Sequence, residues 1–86
     1  MADEELKYPL EWTFRIVAEK DFAEDVRRDI AEIAAKYDVP CVLSDGLVSK
    51  GGNYVTIKFT VTVRDRDMFA GIGDALGTIK RVKFVL

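Results

Sequence analysis

Tyr54-Val55-Thr56-Ile57-Lys58-Phe59-Thr60-Val61-Thr62-Val63 alternates apolar and polar residues without a break, and the turn Ser49-Lys50-Gly51-Gly52-Asn53 precedes it. Successive side chains of a strand point to opposite faces. Val55, Ile57, Phe59, Val61 and Val63 therefore share a dry face, while Tyr54, Thr56, Lys58, Thr60 and Thr62 share a wet one. A long strand with one buried side needs a second layer to cover it, and the remaining segments supply that layer.

Immediately upstream, Cys41 to Val48 reads as a weaker strand. Gly46 suggests a bulge within it, and Asp45 suits a sheet edge better than a centre. The glycine-rich turn makes these two strands a hairpin. Further back, Tyr8-Pro9 opens a strand in which Leu10, Trp12, Phe14 and Ile16 alternate with Glu11, Thr13, Arg15 and Val17. Asp21 is then expected to cap a helix, with Glu24 three residues on. Phe22, Val26, Ile30, Ile33 (or Ala34) and Tyr37 give that helix an apolar face, and it must stop before Pro40. After the long strand, Asp65 can cap a second helix facing inward through Met68 or Phe69, Ile72, Ala75 and Leu76, with Gly77 as its C-cap. Val82, Phe84 and Leu86, alternating with Arg81, Lys83 and Val85, are expected to face inward from a last strand.

The order is β-α-β-β-α-β. It predicts an α+β ferredoxin-like sandwich: a four-stranded antiparallel sheet, order 4-1-3-2, with two helices on one face. Residues 1–7 read as a flexible acidic tail and residues 8–86 as one domain.

Composition narrows the chemistry. The chain has 86 residues, 49% of them hydrophobic, with one cysteine and no histidine. A lone Cys41 excludes an internal disulfide, an iron–sulfur cluster and a Cys/His zinc site. No apolar run is long enough to span a membrane, and the acidic N-terminus lacks the apolar region of a signal peptide, so a cytoplasmic location is expected. No carboxylate pair offers itself for acid–base work and no base stands ready to activate Cys41, so no enzyme is expected, and no metal or cofactor either. The glycines of Gly71-Ile72-Gly73 and Gly77 lack the preceding strand and the spacing of a dinucleotide fingerprint.

The wet face is basic, with Arg15, Lys58, Arg81 and Lys83 and the single aromatic Tyr54. RNA-recognition modules place stacking aromatics on the two central strands. Here those positions hold Thr13, Arg15, Thr56 and Lys58, so nucleic acid is not the expected partner, and a solvated sheet, an anion site or a dimer interface fits better.

Three features in this order and spacing resemble the YbeD-like family of small bacterial proteins. They are Tyr8-Pro9 before an aromatic-bearing strand, Ser49-Lys50-Gly51-Gly52-Asn53-Tyr54 before a Thr/Val-rich one, and Leu76-Gly77 before Val82-Lys83-Phe84-Val85-Leu86. That family is similar to ACT domains, and the resemblance implies a non-catalytic regulatory or ligand-binding role. In ACT modules small molecules bind at the first strand–helix loop, often against a second subunit. The resemblance therefore points to Lys20 and Asp21, with Lys50, Gly51, Gly52 and Asn53 of the neighbouring turn, as the ligand-binding residues. It leaves the partner as a small molecule, another protein or a second copy of the chain. A protein-interaction module using the open sheet or the edge strand 41–48 is the alternative.

Overall fold

Threonine and valine make up most of the long strand, and β-branched side chains suit a pleated surface better than a helix. The computed structural model describes residues 7–48 and 51–86, the side chain of Leu47 apart. Of the expected tail only Lys7 falls within that range, and Ser49 and Lys50 of the turn lie outside it. The elements are β1 (Leu10–Glu19), a 3-10 turn (Lys20–Phe22), α1 (Ala23–Lys36), β2 (Val42–Val48), β3 (Tyr54–Val63), α2 (Arg66–Gly77) and β4 (Val82–Val85).

β1 and β3 form the middle of the sheet and pair antiparallel over their whole length, from Leu10↔Val63 to Glu19↔Tyr54. The sheet order is β2-β3-β1-β4, which is the expected 4-1-3-2 counted from the other edge. One face of this central pair presents Phe14, Ile16, Ala18, Ile57, Phe59, Val61 and Val63, all buried. Val26, Ile30 and Ala34 of α1 cover it together with Met68, Ile72 and Leu76 of α2. Both helices thus lie on that face, and the hydrophobic effect holds the two layers together. Trp12, Phe14, Phe59 and Phe69 form an aromatic cluster at one end, with Trp12 edge-on to Phe69 at 5.2 Å. Gly71 lets the helices close on each other, because a Cβ there would run into the Tyr37 hydroxyl.

Of the four helix ends two follow the pattern, α1 stopping at Lys36 before Pro40 and α2 starting at its Asp65 cap, and two do not. Asp65 caps α2, its Oδ1 accepting from the Met68 backbone N–H at 2.8 Å. Asp21 does not cap α1. It lies inside the 3-10 turn, and Phe22, whose side chain cannot accept a hydrogen bond, holds the cap position. That turn closes its own hydrogen bond from the Ala23 N–H to the Lys20 carbonyl, and the Lys20 N–H donates to the Asn53 carbonyl at 2.9 Å. Backbone groups at this end are therefore partly satisfied without a carboxylate. Gly77 is not a C-cap either: it is the last helical residue, and Thr78 follows with right-handed backbone and a hydroxyl donating to the Ala75 carbonyl at 2.7 Å. The left-handed position comes later, at Arg81 (φ 73°).

β2 carries the bulge expected at Gly46, since its register with β3 shifts between Asp45↔Ile57 and Val48↔Val55. A Cβ on Gly46 would sit 2.9 Å from Thr56 Cβ and the Thr56 carbonyl oxygen, so glycine is the residue that fits. Asp45 turns toward the helices and pairs with Arg27 of α1. β4 departs from the expected phase. Its register runs Ile16↔Val85, Val17↔Phe84 and then Ala18↔Val82, leaving Lys83 as the extra residue of a bulge. Val82 and Val85 therefore face inward, while Phe84 and Leu86 lie on the open face, 48% and 65% exposed. Four of the last five residues are apolar, so alternation could not set the phase of this strand; the bulge sets it.

Candidate functional site

Two places gather the residues singled out in the sequence. The first is the corner where β1 runs into α1. Glu19 ends β1, the 3-10 turn carries Lys20 and Asp21 outward, and the Lys20–Asn53 backbone bond draws the β2–β3 turn alongside. The result is a cavity of about 290 Å³ lined by Glu19, Lys20, Asp21, Gly52, Asn53 and Tyr54. Gly52 has φ +75°, the left-handed conformation that glycine adopts without steric cost. Lys20, Asp21, Gly52 and Asn53 are thus brought together; Gly51 stands outside the lining, and Lys50 lies outside the described residues.

Glu19 and Arg81, the latter singled out in the sequence only as part of the basic face, support this corner. Glu19 accepts an ion pair from Arg81 at 3.7 Å, and the Arg81 guanidinium stacks over the Phe22 ring at 3.9 Å. Arg81 also accepts the Glu19 backbone N–H through its carbonyl at 2.9 Å. Arg81 therefore belongs to the corner rather than to the middle of the basic face. Nothing in the local sequence around Glu19 links it to a residue 62 positions further on.

The second place is the open side of the sheet. Arg15 and Lys58 sit directly opposite each other in the β1–β3 register. Ser44 flanks Lys58 on β2, and Leu86 exchanges both backbone hydrogen bonds with Arg15 at 3.0 and 2.7 Å. On one side of this row the Thr13 and Thr60 hydroxyls share a 3.0 Å hydrogen bond. On the other, Val17 lies between Thr56 and Phe84, and the Lys83 ammonium reaches over the Tyr54 ring at 5.7 Å. Arg15, Tyr54, Lys58 and Lys83 thus share this face.

Cys41 lies at neither place; the residue is exposed, yet partial burial of the sulfur pushes its thiol above its ordinary range. Among the described residues no group of three His, Cys, Asp or Glu side chains is placed to hold a metal ion, and no helix is long and apolar enough to cross a membrane.

Sheet order and helix placement define an α+β ferredoxin-like sandwich. A family model described as "Protein of unknown function (DUF493)" matches residues 3–86, and the chain belongs to that family, which is the YbeD-like family it resembles. Among solved structures, HP0495 from Helicobacter pylori superposes with a TM-score of 0.80 at 19% identity, over 100% of this chain and 93% of that one. The C-terminal domain of the MgtC protein from Mycobacterium tuberculosis gives 0.72 at 13% identity, over 94% and 88%. The ACT domain of GTP pyrophosphokinase from Chlorobium tepidum gives 0.67 at 19%, over 90% and 95%. At these identities the likeness is one of fold. No curated protein matches the sequence.

Proposed function

We propose that this chain is a non-catalytic regulatory domain that binds a small zwitterionic metabolite at the β1–α1 corner. The observation that carries this reading is the make-up of the corner cavity. Two acids, Glu19 and Asp21, line about 290 Å³ together with Lys20 and Asn53, and of the two acids Glu19 is paired with Arg81. A ligand carrying both an ammonium and a carboxylate finds a partner for each charge there, and charge-assisted hydrogen bonds are the stronger kind. The volume suits a molecule of amino-acid size, at the lower end of the usual range for small-molecule pockets. The fold adds support, since the ACT domain of a GTP pyrophosphokinase shares it.

Binding would add to the Lys20–Asn53 backbone hydrogen bond that joins the β1–α1 turn to the β2–β3 turn. Regulation would follow if a second subunit or partner reads the position of those turns, because a ligand shifts an equilibrium only by its differential affinity for two states. A thermal-shift screen of amino acids and related zwitterions tests the reading. A ligand at about 100 times its dissociation constant adds close to 2.7 kcal/mol of stability, roughly 10–20 °C in a domain of this size. The Asp21→Ala and Asn53→Ala variants should each abolish the shift while keeping the unliganded melting temperature. A blank screen, or a shift that both variants retain, overturns the assignment.

A further inference from the structure

Like charges directly opposite each other in an antiparallel pair destabilise a sheet. Arg15 and Lys58 are such a pair, in the middle of the two central strands. Among the described residues neither makes an ion pair; the acids that do, Glu19, Asp25 and Asp45, are held by Arg81, Arg28 and Arg27. Glu11 is the other acid in phase with this face, and it stands opposite Thr62 near the far end. Lys83 adds a third cation at the near end. In a chain whose net charge is −2, the positive charge on this one surface is concentrated against the average.

Apolar side chains flank the cations on both edges. Val42, opposite Thr60 on β2, is 53% exposed, and Phe84 and Leu86 on β4 are 48% and 65% exposed. Three strand spacings of about 4.8 Å place these flanks ~14 Å apart, with the basic pair between them. A patch of this make-up meets its complement in carboxylates flanked by apolar side chains. We infer that the open face of the sheet docks an acidic segment of a partner protein, its carboxylates on Arg15 and Lys58 and its apolar side chains on Val42 and on Phe84 with Leu86.

The same observations weigh against other occupants. A second copy docking face to face would set one Arg15–Lys58 pair against another. Single-stranded nucleic acid gains much of its affinity from bases stacked on aromatic side chains. The central positions here carry threonines and cations, and the Tyr54 ring is taken up by Lys83. The docking surface borders the corner cavity at Tyr54, but Arg15, Lys58, Val42, Phe84 and Leu86 do not line that cavity and the inference does not depend on it.

A library of random twelve-residue peptides displayed on phage, panned against the full chain at about 0.15 M salt, provides the test. The expected consensus contains two or more Asp or Glu residues with an aromatic or branched aliphatic neighbour. The selected peptide, made synthetically, should perturb the NMR amide signals of Thr13–Val17, Thr56–Thr60 and Phe84–Leu86. Lys58→Glu should weaken it at least tenfold, and Phe84→Ser severalfold. Lys58→Glu replaces a repelling pair by an attracting one, so its melting temperature should not fall, and loss of binding cannot be put down to unfolding. Asp21→Ala should leave the affinity unchanged. Enrichment of peptides without acids, or equal binding by Lys58→Glu, overturns the inference. Tighter binding of an oligouridylate than of the best peptide overturns it in favour of nucleic acid. A Lys58-dependent dimer at micromolar concentration in sedimentation overturns it in favour of a second copy.

Discussion

Replacing Phe59 and Phe84 by alanine separates the two sides of the sheet. Phe59 is fully buried, with Phe14 stacked against it at a ring separation of 6.4 Å. Truncating such a residue removes its transfer free energy and leaves a cavity, about 3–5 kcal/mol together. Phe84 is 48% exposed and sits on the open face. About half of the ~1.5–3 kcal/mol gained by fully burying such a side chain applies to it, so its truncation costs roughly 1 kcal/mol with no enclosed cavity. At about 0.05–0.15 kcal/mol per residue, a domain of this length has about 4–13 kcal/mol in hand. Phe59→Ala therefore consumes much of the stability and Phe84→Ala little of it. With a urea slope of about 1.5 kcal/mol per molar, the unfolding midpoint should fall by roughly 2–3 M for Phe59→Ala and by less than about 1 M for Phe84→Ala. Circular dichroism and the fluorescence of Trp12, the one tryptophan, follow the transition. Equal losses in the two variants would mean that Phe84 faces the core, and the bulge at Lys83 would be wrong.

Lys58→Glu should stabilise the free domain by about 0.2–1 kcal/mol by ending the repulsion with Arg15. Melts at 0.1 and 1 M NaCl should show the gain shrinking, as the screening length falls from about 10 to about 3 Å. Asp65→Ala should cost about 1 kcal/mol through the lost cap of α2, and Asp65→Asn much less, whereas Asp21→Ala should be close to neutral; chemical denaturation compares them. Gly71→Ala should destabilise the protein through the Tyr37 hydroxyl. In a Tyr37→Phe background the same change should move toward the ~1 kcal/mol that alanine gains over glycine in a helix, and a double-mutant cycle measures that coupling.

The corner depends on contacts between segments far apart in sequence: Lys20 with Asn53, Glu19 with Arg81, and Arg81 with Phe22. A change at Arg81 should therefore be felt at the β1–α1 turn, although β4 contributes no side chain to the lining of the cavity.

Periodicity by itself determined the elements, their order and the sandwich. β1, β3 and both helices carry long, unbroken patterns, and a strand or helix with one apolar face has few ways to bury it. The cap at Asp65 and the bulge at Gly46 were legible for the same reason, because each follows from the chemistry of one residue and its immediate neighbours. Contacts that no local pattern encodes were decided only by the tertiary structure. The 3-10 turn took Asp21 out of the cap position, and backbone bonds to Asn53 and within the turn satisfy part of this helix end in its place. The bulge at Lys83 put Phe84 and Leu86 on the open face, where Val82-Lys83-Phe84-Val85-Leu86 offered apolar residues for either phase. Of the corner residues, Lys20, Asp21, Gly52 and Asn53 could be named from loop position and resemblance. The part Arg81 takes in the corner could not, because only the packing of β4 beside β1 brings it to Glu19.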